Sequence, residues 1–458
     1  MKKRDELIGK RFETKCVDSS FEGKGVCFVD DFVIFASAML PLDVGTIEVT
    51  YKRNGTYFGK LVSLSKPSPF RIEPRCKIAT SCGGCVYQSL SYEKEKELKR
   101  ELVLNQLHRA HIDVDVMDCD GPMEPYGYRN KIQVPFGKDK EGNLIYGFYK
   151  EKTHDIVPFE DCPIDDPRAV LILKKLLHVL RLFKIEGYDE KKKEGELRHA
   201  LIRTAIRDPN IQATLILRKD VLSNNRELVQ KIKEEIPEIT TLYVNINSKE
   251  TNVILGEKFI LVYGPKFLKE TLNGVTFLIS PNSFFQVNSK MAEILYRTAV
   301  DFADIQKEDV VFDAYSGTGA IGLFAAKRGA KKVLAVEVVP EAVENSLENA
   351  RNNGIQNYSA LVGDATEVMV QMAARKEKID VLFMDPPRKG STTEFLNATL
   401  SLEPKRIVYV SCNPITLARD LCVLKEKYVI EKVKPLDLFC RSAHVETVVL
   451  LSRKNGKK

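Results

Sequence analysis

Two side chains near the carboxyl end of the sequence are of types that could do chemistry as a pair. They are Cys412, in Ser411-Cys412-Asn413-Pro414, and Glu446, in His444-Val445-Glu446. A lone cysteine is ordinarily a core thiol, and a carboxylate entering a strand is ordinarily an edge residue. Position changes both readings. Cys412 follows the apolar run 406–410 and so falls at the carboxyl end of a strand, the edge where open α/β sheets hold ligands. Glu446 leads into a last apolar run, 447–451. A reference thiol titrates near ~8.5, so this one needs activation or a proton relay. Facing a methyl donor, a thiol and a carboxylate fit one chemistry, methylation of a pyrimidine carbon. Thiolate addition at C6 gives C5 carbanion character, C5 attacks the methyl group, and a base then removes the C5 proton so that the thiolate can leave.

The cofactor for such a step is written in the glycines. Gly317-Thr318-Gly319-Ala320-Ile321-Gly322 matches G-x-G-x-x-G after a strand-like run and before a helix-like one, and Glu337 ends the next strand, where a carboxylate can accept from a ribose diol. Alone, this fits a dinucleotide enzyme of the NAD type or a plain tight turn. Asp313-Ala314-Tyr315-Ser316 just before the glycines, and Asp385-Pro386-Pro387-Arg388 at a later strand end, pull away from NAD. Asp-Pro-Pro by itself reads as a surface turn. Together with Glu337 and the glycine turn it resembles a class I S-adenosylmethionine-dependent methyltransferase.

A third constellation is Cys76-x5-Cys82-Gly83-Gly84-Cys85. Its glycines let the backbone wrap tightly around three thiols, and Cys162, in Asp161-Cys162-Pro163-Ile164, is available as a fourth. Zinc is the simple reading and an iron–sulfur cluster needs four thiolates; spacing does not decide. Cys16, Cys27, Cys119, Cys422 and Cys440 are isolated and read as ordinary thiols.

At ~150 residues per domain, 458 residues predict about three domains. Residues 10–64 alternate apolar and polar, with strands at 26–29, 32–35, 46–51 and 58–62, which predicts a small barrel of the OB type. Pro67, Pro69 and Pro74 mark a linker, and a helical pattern runs from 91 to 108, closed by Pro122 and Pro125. Residues 126–270 mix strand (212–217) and helix (171–182). From 290 onward, apolar runs at 310–313, 332–337, 381–385 and 406–410 alternate with helical patterns, predicting a doubly wound α/β domain. The expected boundaries are 1–65, 66–280 and 281–458. Residues 1–100 hold 18 Lys and Arg against 13 Asp and Glu, a basic excess compatible with nucleic acid. There is no run of ~18 apolar residues and no apolar segment after Met1-Lys-Lys-Arg-Asp-Glu, so a cytoplasmic protein without a membrane span is expected; a monomer is the expected state.

With these motifs in order, joined by Ser280-Pro281-Asn282-Ser283-Phe284-Phe285-Gln286-Val287-Asn288, the sequence resembles the bacterial RNA uracil-5-methyltransferases of the TrmA/RumA type over nearly its whole length. Residues 10–64, with Glu22-Gly23-Lys24-Gly25-Val26, are similar to the TRAM domain, an OB-like RNA-binding module that points to the ribosomal branch, nearest the dual-target 23S rRNA enzymes of Gram-positive bacteria. The resemblance implies cofactor contacts at Gln286, Tyr315, Glu337 and Asp385, a nucleophile at Cys412 and a proton-abstracting base at Glu446. It implies an aromatic at Phe284 packing on the target base, and, through Tyr128-Arg129-Asn130-Lys131, Arg129 near the RNA. It implies a [4Fe–4S] cluster on Cys76, Cys82, Cys85 and Cys162, and a helix around 93–122 packed on the catalytic domain. Competing readings are a tRNA-directed enzyme, an N6-adenine type amino-methyltransferase, which needs no thiol, and a non-catalytic RNA-binding protein with a degenerate enzyme domain.

Overall fold

The computed structural model describes residues 7–151 and 153–454; the leading residues 1–6 used in the sequence reading lie outside them. Strands β1 (Arg11–Ser19), β2 (Gly25–Val29), β3 (Phe32–Ser37), β4 (Val44–Arg53) and β5 (Thr56–Lys66) close a barrel in the order β1-β2-β3-β5-β4. Their two-residue alternation turns Cys16, Cys27, Ile34, Ala36, Ile47 and Val49 into one interior. Closure leaves the small sheet no open edge. The barrel is tied to the chain that follows it through buried Asp43, which accepts from Arg71 Nε at 2.8 Å and from its Nη2 at 2.6 Å.

Helix α1 (Tyr92–Arg109) packs on the carboxyl-terminal domain, against a helix and a strand of it described below. It ends at Arg109, in line with the 91–108 pattern and well short of the 122 that the resemblance implied. The reason lies in the next residues. His111 has φ +54°, and Ile112-Asp113-Val114-Asp115-Val116 alternates with period two, a strand pattern. This segment runs extended, with bridges from Val116 to Val433 and from Asp120 to Leu436.

The central sheet has the order β12-β11-β10-β9-β6-β7-β8, from β6 (Lys131–Lys138), β7 (Leu144–Tyr149), β8 (Ile156–Pro158), β9 (Leu197–Thr204), β10 (Ile211–Leu217), β11 (Ile239–Ile246) and β12 (Lys258–Tyr263). Helices α2 (Pro167–Leu182) and α3 (Arg226–Glu235) share one apolar core with it. A hairpin of β13 (Leu268–Leu272) and β14 (Val275–Ile279) leads into the last domain.

That domain alternates α4 (Ser289–Ala303), β15 (Val310–Ala314), α5 (Ala320–Lys327), β16 (Lys332–Glu337), α6 (Pro340–Asn352), β17 (Tyr358–Val362), α7 (Ala365–Ala374), β18 (Val381–Met384), α8 (Thr393–Leu402), β19 (Arg406–Ser411) and α9 (Pro414–Leu424), then ends on β20 (Tyr428–Leu436) and β21 (Glu446–Arg453). The sheet order is β17-β16-β15-β18-β19-β21-β20, with β21 antiparallel between β19 and β20. Helix α1 lies on α9 and β20. The chain moves outward from β15 to β16 and β17, then returns to β18 on the other side. That reversal opens a crevice at the carboxyl ends of β15 and β18.

Candidate active site

Strand register sets the candidate residues in a row along this crevice. Ala314 pairs with Val336 and Met384, so the next step brings Tyr315, Glu337 and Asp385 level on three strands. One strand further, Ser411 pairs with Thr447, so Cys412 and Glu446 fall at adjoining positions of β19 and β21. Cys412 is half-buried and Glu446 buried.

The glycine turn is built for close approach. Gly319 caps α5 at φ +80°, where a side chain would also collide with the Tyr358 hydroxyl. Gly317 N–H donates to Glu337 Oε2 at 2.9 Å and Val339 N–H to its Oε1 at 3.0 Å, fixing the carboxylate across from the turn. Gly322 N–H donates to Asp313 Oδ2 at 2.9 Å. Tyr315 takes φ +61°, unusual outside glycine, and its ring lies 5.4 Å from Phe395.

Burial dominates the electrostatics of these groups. Burial pushes the Asp385 carboxyl up to about 7. Burial, with the Asp385 charge added, pushes Glu446 up to about 8, against the pull of Arg388. Burial, then the Glu446 and Asp385 charges, raise the Cys412 thiol to about 11, again opposed by Arg388. Arg388 is therefore the cation serving both groups, and its Nη2 stands 3.3 Å from His444 Nε2. Tyr296 of α4 is buried within reach of the charges of Asp385, Glu446 and Asp313, which raise its hydroxyl after burial does. The sequence reading missed Tyr296, because an aromatic on the buried face of a helix looks like core.

The 280–288 segment joins the β13–β14 hairpin to α4. Gln286 is buried, and its carbonyl accepts from Asn130 Nδ2 at 2.9 Å. Phe284, in contrast, is 69% exposed, an aromatic face held out to solvent. Arg129 is not in this row. It lines a separate cavity of about 370 Å³ together with Cys76, Cys82, Cys85 and Cys162. Burial raises all four thiols, Cys85 to about 11. The Gln88 amide lines the same cavity and hydrogen-bonds the Cys85 thiol, which opposes the effect of burial there. Among the described residues no group of three or more His, Cys, Asp or Glu side chains is gathered so as to hold a metal ion. Four thiols lining one cavity are the donor type that an iron–sulfur group uses.

Residues 87–454 match the family model described as tRNA (Uracil-5-)-methyltransferase. The chain belongs to this family. An RNA methyltransferase of Clostridium tetani is 39% identical over 95% of both chains, and one of Halalkalibacterium halodurans is 38% identical over 99% of this chain and 100% of its own. The crystal structure of Pyrococcus abyssi tRNA (uracil-54, C5)-methyltransferase in complex with S-adenosyl-L-homocysteine superposes with a TM-score of 0.78 at 28% identity, over 96% of this chain and 99% of that one. As a member of the family, the chain is an S-adenosylmethionine-dependent RNA methyltransferase with a small amino-terminal barrel. None of its described helices is long and apolar enough to cross a membrane.

Proposed function

We propose that this chain transfers the methyl group of S-adenosylmethionine to C5 of specific uridines in 23S rRNA. The observation that carries the reading is the register that sets Cys412 beside Glu446 at the crevice edge, one strand from Asp385. Glu337 accepts from the ribose diol; Gln286, Tyr315 and Asp385 complete the donor site; Phe284 packs on the target base. Cys412 adds to C6, C5 takes the methyl group and S-adenosylhomocysteine departs. Glu446 then removes the C5 proton, and the sulfur–C6 bond breaks.

The high thiol value suits a gated nucleophile. Burial first, and then the Glu446 and Asp385 charges, hold Cys412 protonated, and an arriving sulfonium cation offsets those charges, favouring the thiolate when the donor is present.

A groove of about 730 Å³ between the barrel and α1 supports RNA as the partner. It is lined by Phe28, Phe35, Phe58, Arg53 and Arg109 and reaches Ile415, close after Cys412. Aromatic faces beside basic side chains suit a single strand. The cavity thiols of Cys76, Cys82, Cys85 and Cys162 would hold a [4Fe–4S] cluster, tying the 76–85 loop to Cys162; its role is structural.

The tRNA reading has its own support, since the match to the Pyrococcus abyssi enzyme extends into the barrel. Mass-spectrometric mapping of 5-methyluridine in 23S rRNA and tRNA from a deletion strain separates the two. Loss from 23S rRNA with tRNA unchanged is expected; loss from tRNA alone would replace rRNA as the substrate.

A further inference from the structure

The segment that delivers Glu446 is buried and held from several sides. Between β20 and Glu446, Asp437, Leu438 and Cys440 are fully buried and Arg441 is 2% exposed. Lys99 Nζ of α1, itself buried, donates to Asp437 Oδ1 at 2.6 Å, to Glu95 Oε1 at 2.8 Å and to the Phe439 carbonyl at 3.3 Å. Arg441 N–H donates to Glu95 Oε1 at 2.7 Å and its Nη1 to the Leu90 carbonyl at 2.8 Å, while the guanidinium lies 4.7 Å from the Tyr126 ring. The Tyr128 hydroxyl donates to the Cys440 carbonyl at 3.0 Å. Arg441 has φ +68°, a conformation a non-glycine residue keeps only where its surroundings enforce it.

One of those surroundings is the cysteine loop. The amides of Val86 and Tyr87, next after Cys85, both donate to the Arg441 carbonyl, at 2.9 and 3.0 Å. Arg129, the neighbour of Tyr128, lines the thiol cavity and also acts electrostatically on His444. The wall of the cysteine cavity and the entry to β21 therefore share anchors.

We propose that Arg441 is a positioning residue for Glu446, and that the cysteine loop sets how rigidly Glu446 is presented, through the Val86 and Tyr87 amides. This rests on the reading of Glu446 as the proton acceptor. Misplacing a reacting group by ~1 Å can cost about 10²-fold. The loss falls on the step Glu446 performs, so Cys412 addition and methyl transfer persist while release slows.

The test uses full-length Val86→Pro, which removes one amide donor to the Arg441 carbonyl, together with Arg441→Ala and Tyr128→Phe. Hydrogen exchange read by mass spectrometry should rise about tenfold or more across 437–446, with 406–411 unchanged. On a denaturing gel with ordinary uridine RNA, a methylated enzyme–RNA adduct should accumulate while first-turnover methyl transfer stays near wild type. Unchanged exchange at 437–446 in all variants, or methyl transfer and release falling together, would overturn the proposal. If Arg441→Ala does not fold, Tyr128→Phe, which removes a single hydroxyl, carries the same two readouts. If the wild type forms no covalent complex with RNA at all, the parent reading fails, and the exchange measurement still decides whether the cysteine loop governs 437–446.

Discussion

Glu446 and Cys412 come together because their strands are antiparallel neighbours: one step beyond the Ser411–Thr447 pair, the thiol and the carboxylate stand side by side at the sheet edge. Neither is poised by itself. Each is raised by burial, and the Glu446 charge helps hold the thiol protonated. A cation placed between them should change both.

The first prediction follows from that sign. In the donor-free enzyme, alkylation of Cys412 by iodoacetamide, followed on its own peptide by mass spectrometry, should rise with pH toward about 11. With S-adenosylmethionine bound the profile should move to lower pH than with S-adenosylhomocysteine, which has nearly the same size but no sulfonium charge. Identical profiles with the two ligands would show that the donor does not gate the thiol.

Glu337→Ala should weaken S-adenosylmethionine binding by about ten- to a hundredfold, because a charge-assisted hydrogen bond is worth about 1.5–3 kcal/mol. The variant also loses the brace on the Gly317 amide, which acts in the same direction. Calorimetry showing unchanged affinity would remove Glu337 from the pocket.

On the RNA side, Arg53→Ala combined with Arg109→Ala should weaken rRNA-fragment binding and flatten its dependence on log salt by about 1.4, at ~0.7 for each single-strand phosphate left without its arginine. Binding titrations with an unchanged slope would place the strand elsewhere.

Legibility in the sequence followed the chemistry of each element. The β15, β16, β18 and β19 runs are apolar because they are covered on both faces, so their ends, and Tyr315, Glu337, Asp385 and Cys412 with them, could be read directly. Strand β9 could not: Arg198, His199 and Arg203 interrupt it, yet all three are buried. The clamp from Lys99 to Asp437 was invisible for a similar reason. Its charges stand more than three hundred positions apart, and buried Lys99 looks in sequence like one more solvated residue of a charged helix. Loop 437–443 carries no motif, and the left-handed Arg441 gives no sign of itself in its residue type.

Anaerobically purified protein should be brown and contain iron and acid-labile sulfide, and Cys162→Ser should bleach it, since that residue alone brings a thiol from outside the 76–85 loop. Stoichiometric zinc without iron in such a preparation would overturn the cluster.

The most direct measurement of the mechanism is the covalent complex with RNA. With 5-fluorouridine at the target, the wild type should give a slowed band on a denaturing gel, because fluorine cannot leave as a proton does, and the linked peptide should contain Cys412. Cys412→Ala should form no adduct and no product. Glu446→Gln should methylate ordinary uridine once and then release it slowly, with turnover reduced about 10²–10⁴-fold and a methylated adduct accumulating. An adduct that maps to another cysteine or survives in Cys412→Ala, or a Glu446→Gln enzyme that turns over like wild type, would contradict the account.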